Sequence, residues 1–157
     1  MIISFSSINK FFDKQLDVFE VSEKLTLAGL EVDSIEPIDF SSIDPNVVVG
    51  KITDISKHPN ADKLKVCKVE ILDESFQIVC GASNINIGDL VPLAKIGAKL
   101  PTGLKIKKSK IRDIESYGML CSLSELGISY DIFDGIFLIP DNFKIGQSLN
   151  TFTELND

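Results

Sequence analysis

The stretch VVVGKITDISKHPNADKLKVCKVEILDESFQIVCGASN, residues 47–84, decides the fold. It holds three apolar runs too short for helices, separated by residues that favour turns. The run 47–57 opens on consecutive valines. In 64–72, Cys67, Val69 and Ile71 fall on one face while Lys68 and Glu70 fall on the other. In 75–80, Phe76, Ile78 and Cys80 point together. Asp73-Glu74-Ser75 between them is short enough for a hairpin turn, so these two runs pair as antiparallel strands. Downstream, 90–97 and 104–120 are two further candidates, the second long enough to need a bend. A longer connection, 81–89, separates the third run from the fourth. Five such strands suit a five-stranded Greek-key barrel, the OB-fold.

Outward from the barrel, the pattern changes. Ile8, Phe11 and Phe12 have helical spacing after a serine-rich start, which predicts a short helix over 4–12 capped by Ser4 or a neighbour. A second helix begins at Asp17, lines one face with Val18, Val21, Leu25 and Ala28, and stops at Gly29. Leu30 to Phe40 alternates and reads as a strand that Pro37 confines to an edge. These elements are too small to fold alone. Ser41–Asn46 is a polar linker with a boundary on it. After Ser122, a helical turn is expected over Leu123–Gly127, a polar loop over 128–135, and a short strand from Ile136 to Ile139. The stretch from Asp141 onward is expected to return to the N-terminal helices. The fold class is therefore mainly β with an α+β N-terminal part.

A chain of 157 residues holds one ordinary domain or two small ones. Its 44% apolar and 25% charged content is ordinary for a soluble globular protein. No apolar run approaches the roughly 20 residues of a membrane helix, and Met-Ile-Ile-Ser-Phe does not begin like a signal peptide, so a cytoplasmic protein is expected. Cys67, Cys80 and Cys121 are far apart and the chain has one histidine, which argues against a structural zinc and for thiols in a reducing compartment. The glycines form neither a dinucleotide nor a Walker loop. No acidic pair is set by local spacing, and His58 has no nucleophile with an orienting carboxylate beside it. The chain alone is expected to be non-catalytic and to carry no cofactor.

Net charge is −7, which taken alone disfavours a polyanion ligand. Its distribution does not. Residues 51–112 carry 12 basic and 6 acidic side chains, whereas the rest carries 4 and 17. A basic middle between acidic flanks points to local, weak and salt-sensitive nucleic-acid binding. The densest run is Lys105, Lys107, Lys108, Lys110 and Arg112, and Lys51, Lys57, Lys63 and Lys65 add to it. This run reads either as a solvated face or as a basic groove. The loop His58-Pro59-Asn60-Ala61-Asp62-Lys63-Leu64 is likewise open. Pro, Asn and Asp explain a turn by themselves, or the loop presents His58, Asn60 and Lys63 to RNA. Only Phe76 and Tyr117 are aromatic in the barrel, which disfavours a stacking platform for single strands and favours contacts to the backbone of a folded RNA.

Val47-Val48-Val49-Gly50, the 58–64 loop, Ile78-Val79-Cys80-Gly81-Ala82, Leu100-Pro101, Lys105-Ile106-Lys107 and Gly118-Met119-Leu120-Cys121-Ser122 together resemble the tRNA-binding OB-fold module. That module also occurs in endothelial-monocyte-activating-polypeptide-like proteins, methionyl-tRNA synthetases and small tRNA chaperones. Ala28-Gly29-Leu30-Glu31-Val32-Asp33 and Ser124-Glu125-Leu126-Gly127-Ile128 resemble the bacterial phenylalanine–tRNA ligase β subunit. The resemblance implies an N-terminal fragment of that longer subunit. Residues 1–40 would be the first part of a split helical/αβ domain, 41–148 the tRNA-binding OB-fold, and 149–157 a truncated segment returning to the first part. Such a part-domain should leave apolar surface exposed near its helices. The implied parent is an α2β2 enzyme whose α subunit uses ATP and magnesium; the implied partners are phenylalanine-specific tRNA and that α subunit, with neither membrane nor DNA. In free-standing relatives an Arg-x-x-x-Ser-x-x-Met face contributes to tRNA binding, and Arg112, Ser116 and Met119 match it here. The expected RNA-binding set is thus Lys51, Lys57, His58, Asn60, Lys63, Lys105, Lys107, Lys108, Lys110, Arg112, Ser116 and Met119. Two rivals stand beside this reading: a free-standing tRNA-binding or chaperone protein that dimerises through its barrel, and a structural docking module whose basic face only buttresses the synthetase.

Overall fold

The computed structural model describes residues 5, 8, 11–14, 16–35, 39–128, 135–141 and 143–151. The chain divides into two compact units, the larger being Phe40–Phe152. Its strands are β1 (Val47–Lys57), β2 (Lys65–Ile71), β3 (Glu74–Cys80), β4 (Leu90–Lys95), β5 (Ser109–Ile111), β6 (Ile114–Ser116) and β7 (Gly118–Leu120). Five of them form an antiparallel sheet in the order β3-β2-β1-β4-β7, while β5 and β6 make a separate hairpin. The sheet curls until its two ends nearly meet. Tyr117 N donates to Gln77 O at 2.9 Å, and Val79 N donates to Ser116 Oγ at 3.0 Å, so β3 touches the segment from β6 to β7. This nearly closed, five-stranded antiparallel barrel is an OB-fold.

The alternation in β2 fills the barrel as expected: Cys67 and Val69 are fully buried and Ile71 nearly so, while Lys68 is exposed. They meet Ile52 from β1, Ile78 from β3, Val91 and Leu93 from β4 and Leu120 from β7. The start of β1 does not alternate. Val47, Val48 and Val49 are all buried, because the chain beyond Lys144 covers the outer face. Gly146 N donates to Val49 O at 2.7 Å, Val49 N to Gln147 O at 2.9 Å, and Leu149 of the 3-10 turn Leu149–Thr151 is fully buried. Residues 143–151 thus belong to the barrel unit; the rest of the expected returning segment, 152–157, lies outside the described residues. Ser41–Asn46 is likewise no free linker. Phe40 is buried and stacks on Phe137, Ile43 is buried, and the Asp44 carboxylate accepts from Asn46 N at 2.8 Å and Lys99 N at 2.9 Å. The Asn46 bond first, then that of Lys99 against the cost of burial, holds the Asp44 carboxyl below its usual range.

The expected bend in 104–120 divides it into three short strands, β5, β6 and β7. Arg112 and Asp113, with φ of 48° and 73°, make the two-residue turn between β5 and β6, the conformation that lets a tight hairpin follow the strand twist. Leu72, with φ of 50°, opens the turn between β2 and β3 one residue earlier than expected.

In the smaller unit, α1 (Val18–Leu27) starts where expected. Asp17 Oδ1 accepts from Glu20 N at 2.9 Å, and Gly29 at φ +92° lets Leu30 N return to Leu25 O. The helix buries none of its residues: Phe19 and Leu27 are 70% and 80% exposed. No strand occurs at the described residues 30–35 and 39–40. Alternation there finds no neighbouring strand to ladder with. The expected helix over 4–12 falls mostly outside the described residues.

Cys67, Cys80 and Cys121 are free and buried. Burial pushes Cys67 up to about 11 and Cys121 up to about 12, and raises Cys80 as well. The thiolate is the reactive form, so iodoacetamide at about pH 8 is expected to leave the folded chain unmodified and to alkylate it in denaturant. Because these values are raised by folding, the stability they contribute is complete below the ordinary thiol range. It is lost as pH climbs from the ordinary thiol value of 9.0 through about 11 and 12, so Tm should fall across that whole window.

Candidate nucleic-acid interface

The 58–64 loop is closed on itself by His58 N to Leu64 O at 3.1 Å and Leu64 N to Ala61 O at 3.2 Å. Its histidine faces inward and is only 4% exposed. Asn60 N–H donates to His58 Nδ1 at 3.1 Å, so the proton of the neutral ring sits on Nε2, which lies 3.0 Å from Ile111 O. Asn60 Nδ2 then donates to Arg112 O at 3.1 Å. Two hydrogen bonds thus staple the loop after β1 to the turn of the β5–β6 hairpin. They bring Lys57 and Lys63 to the same edge of the barrel as Lys110 and Arg112, all of them exposed. Lys105 and Lys107, also exposed, lie on the segment that leads into β5.

The hairpin partly neutralises itself. Lys108 Nζ is 2.8 Å from Glu115 Oε1 and sits 4.9 Å from the centre of the Tyr117 ring, and the Tyr117 hydroxyl donates to the other carboxylate oxygen. The Lys108 bond first, and the Tyr117 bond next, hold the Glu115 carboxyl below its ordinary range; the Glu115 carboxylate first, and the Tyr117 hydroxyl next, push the Lys108 ammonium up. Lys110 lies 3.6 Å from Asp113. Both pairs are exposed and screened by water and salt, so they compete weakly with a polyanion. Lys105, Lys107 and Arg112 form no ion pair among the described residues.

Several expected contacts lie elsewhere. His58 is buried and both ring nitrogens are engaged, so it supports the loop and does not face solvent. Ser116 is 1% exposed; its hydroxyl accepts from Val79 N and donates to Gly118 O at 3.1 Å, which seals the barrel seam. Asn60 is exposed, but its amide nitrogen is committed to Arg112 O. Lys51 stands six residues from Lys57 along β1, about 20 Å away at strand rise. Met119 is half-buried on β7 and lines a separate hollow of about 350 Å³ with Cys80 and Ser122. These last two are not part of the stapled edge.

The residue list from sequence also omits a groove of about 790 Å³ across β1, β2 and β3. Phe76 and Tyr117 supply its aromatic surface, Lys68 and Lys95 its positive charge, and Asp54 and Glu74 its negative charge. Alternation in β2 already turned Lys68 outward. Lys95 carried no local signal, because only the pairing of β4 with β1 and β7 brings it to the groove.

The whole chain aligns with part of a much longer protein. It is 47% identical over 157 residues to the phenylalanine–tRNA ligase beta subunit of Syntrophus aciditrophicus, covering 100% of this chain and 19% of that protein. To the same subunit of Francisella tularensis subsp. tularensis it is 47% identical over 158 residues, covering 100% of this chain and 20% of that protein. The chain therefore spans about a fifth of the length of these curated relatives. A MetRS-related protein from Pyrococcus horikoshii superposes with a TM-score of 0.49 at 20% identity, over 73% of this chain and 98% of that one. Residues 47–148 match the family described as "Putative tRNA binding domain", and the chain belongs to this tRNA-binding domain family.

Proposed function

We propose that this chain is the N-terminal region of a phenylalanine–tRNA ligase β subunit and that its barrel is an accessory tRNA-binding module. In this reading the parent is a cytoplasmic α2β2 enzyme that attaches phenylalanine to its tRNA with ATP and magnesium. This chain supplies no reacting group. Its contribution is electrostatic: exposed lysines and Arg112 hold tRNA phosphates while the chemistry proceeds on the α subunit. The observation that carries the reading is the staple, which gathers two basic segments about fifty residues apart in sequence onto one edge of a tRNA-binding domain. Likeness of the whole of this chain to a fifth of the ligase β subunit supports the parent.

A salt series tests it. Binding of this chain to folded phenylalanine tRNA should be weak and should fall with a log–log slope of about −3.5 to −4.5. That is what contacts from Lys57, Lys63, Lys107, Lys110 and Arg112 give at about 0.7–0.9 each. No binding at about 25 mM salt, or a slope near zero, would reject the reading. The docking-module alternative has one observation in its favour, the exposed Phe19 and Leu27 of α1. It would then be the surviving account.

A further inference from the structure

Of the twelve residues expected to touch RNA, His58 and Ser116 are buried and bonded; Ser116 seals the seam within the barrel, whereas the bonds of His58 reach from one basic segment to the other. His58 is the only histidine of the chain. Its ring bridges two segments far apart in sequence: Nδ1 accepts from Asn60 N–H, two residues on, and Nε2 meets Ile111 O, 53 positions away. The first bond shapes the loop. The second holds the loop against the hairpin, seconded by Asn60 Nδ2 on Arg112 O. We propose that His58 is a positioning residue for the RNA-binding edge: its ring locks Lys63 of the 58–64 loop, beside Lys57 at the end of β1, in register with Lys110 and Arg112, so that both segments engage one polyanion at once. This rests on the tRNA-binding reading above.

The physical argument is one of preorganisation. Two basic segments that move independently each meet a phosphate and lose it separately, whereas segments fixed to each other present a single footprint and lose less freedom on binding. The staple also places two backbone carbonyls, Ile111 O and Arg112 O, under hydrogen bonds at a turn whose residues have positive φ. That fixes the direction in which Arg112 leaves the hairpin.

Two substitutions separate the two bonds. His58→Asn keeps a short side-chain oxygen able to accept from Asn60 N–H, an Asx turn, but cannot reach Ile111 O. His58→Gln keeps a terminal amide nitrogen able to reach Ile111 O but gives up the Asn60 bond. Each loses one ring hydrogen bond, so a role in stability alone lowers Tm in both to a similar degree. The positioning role predicts a split. In H58N, affinity for folded tRNA should fall roughly tenfold, and the salt slope should become shallower by about 0.7–0.9, as Lys63 leaves the footprint while Lys57 stays in the β1–β2 ladder. In H58Q, affinity and slope should stay near wild type. As a cross-check, Lys63→Gln should weaken binding in the wild-type background and have little effect in H58N. If H58N binds with wild-type affinity and slope, or if both variants lose binding in parallel with Tm, the proposal is overturned while the tRNA-binding reading stands. If the wild-type chain itself fails to bind tRNA at low salt, the reading falls and takes the proposal with it.

Discussion

Replacing Gly118 by alanine is expected to lower the stability of the barrel by about 3–5 kcal/mol. Two independent costs combine. Gly118 has φ +154°, a region that residues with a Cβ enter only at about 1–3 kcal/mol. The added Cβ would also stand 2.7 Å from the carbonyl oxygen of Ala94, and 3.2 Å from Ile78 Cδ1 and Leu93 Cδ1. The side chains can shift, but the carbonyl belongs to β4, which is paired to β7 in the register Ala94 with Met119 and Lys95 with Gly118. Relieving the contact means opening the strand pair beside the barrel seam, a cost comparable to overpacking a core at about 1–3 kcal/mol. Against a typical domain stability of about 5–15 kcal/mol this is a large fraction, and the melting temperature should fall by at least about 10 °C. Gly103→Ala is the matched control: its φ is also positive at +86°, but the added Cβ meets nothing within 4 Å, so only backbone strain of about 1–2 kcal/mol applies. Thermal melts in which the two variants shift equally would show that the seam does not resist the extra atom.

The strands at the heart of the barrel were legible because burial on one side forces a period of two. β1 ends where its pattern ends, and β2 and β3 differ from the expected runs by a residue or so. Legibility fails where the signal is tertiary. The β5–β6 turn is built on Arg112 and Asp113, neither of them the glycine or asparagine that announces a positive-φ turn, so the bend expected in 104–120 had no marked position. Leu30 to Phe40 alternates like a strand, but a strand needs a ladder partner and alternation does not supply one. The tail from Lys144 to Thr151 looks like a trailing segment because its hydrogen bonds to β1 leave no local pattern.

The site divides in the same way. Charge is a property of composition, and the basic middle of the chain was visible by counting. Which polar residues face solvent is a property of pairing. His58 and Ser116 sit among residues that look presentable, and their burial depends on Ile111 and Val79, 53 and 37 positions away. A lone histidine beside a proline in a polar loop gives no hint of that distance.

Reversing Lys107, Lys110 and Arg112 to glutamate should reduce tRNA affinity by roughly two to three decades near 50 mM salt, the largest functional effect expected from surface changes. Each lost phosphate contact removes about 0.7–0.9 from the log–log slope, so three remove about 2–2.7, and at low salt the released-counterion contribution of three contacts approaches a thousandfold. Lys108 is left in place deliberately. Its ammonium is paired with Glu115 and lies over Tyr117, so a glutamate there would set two carboxylates against each other and disturb the hairpin. The three chosen side chains are exposed, and among the described residues their one ion pair is the 3.6 Å approach of Lys110 to Asp113, so Tm should change little. The staple is spared as well, since Asn60 bonds the carbonyl of Arg112 and not its side chain. A variant that melts like wild type, binds tRNA a hundredfold or more weakly and shows the shallower slope places the contact on this edge. A variant that melts like wild type and binds equally well moves the contact to the groove between Lys68 and Lys95, where the same reversal at those two lysines becomes the deciding measurement.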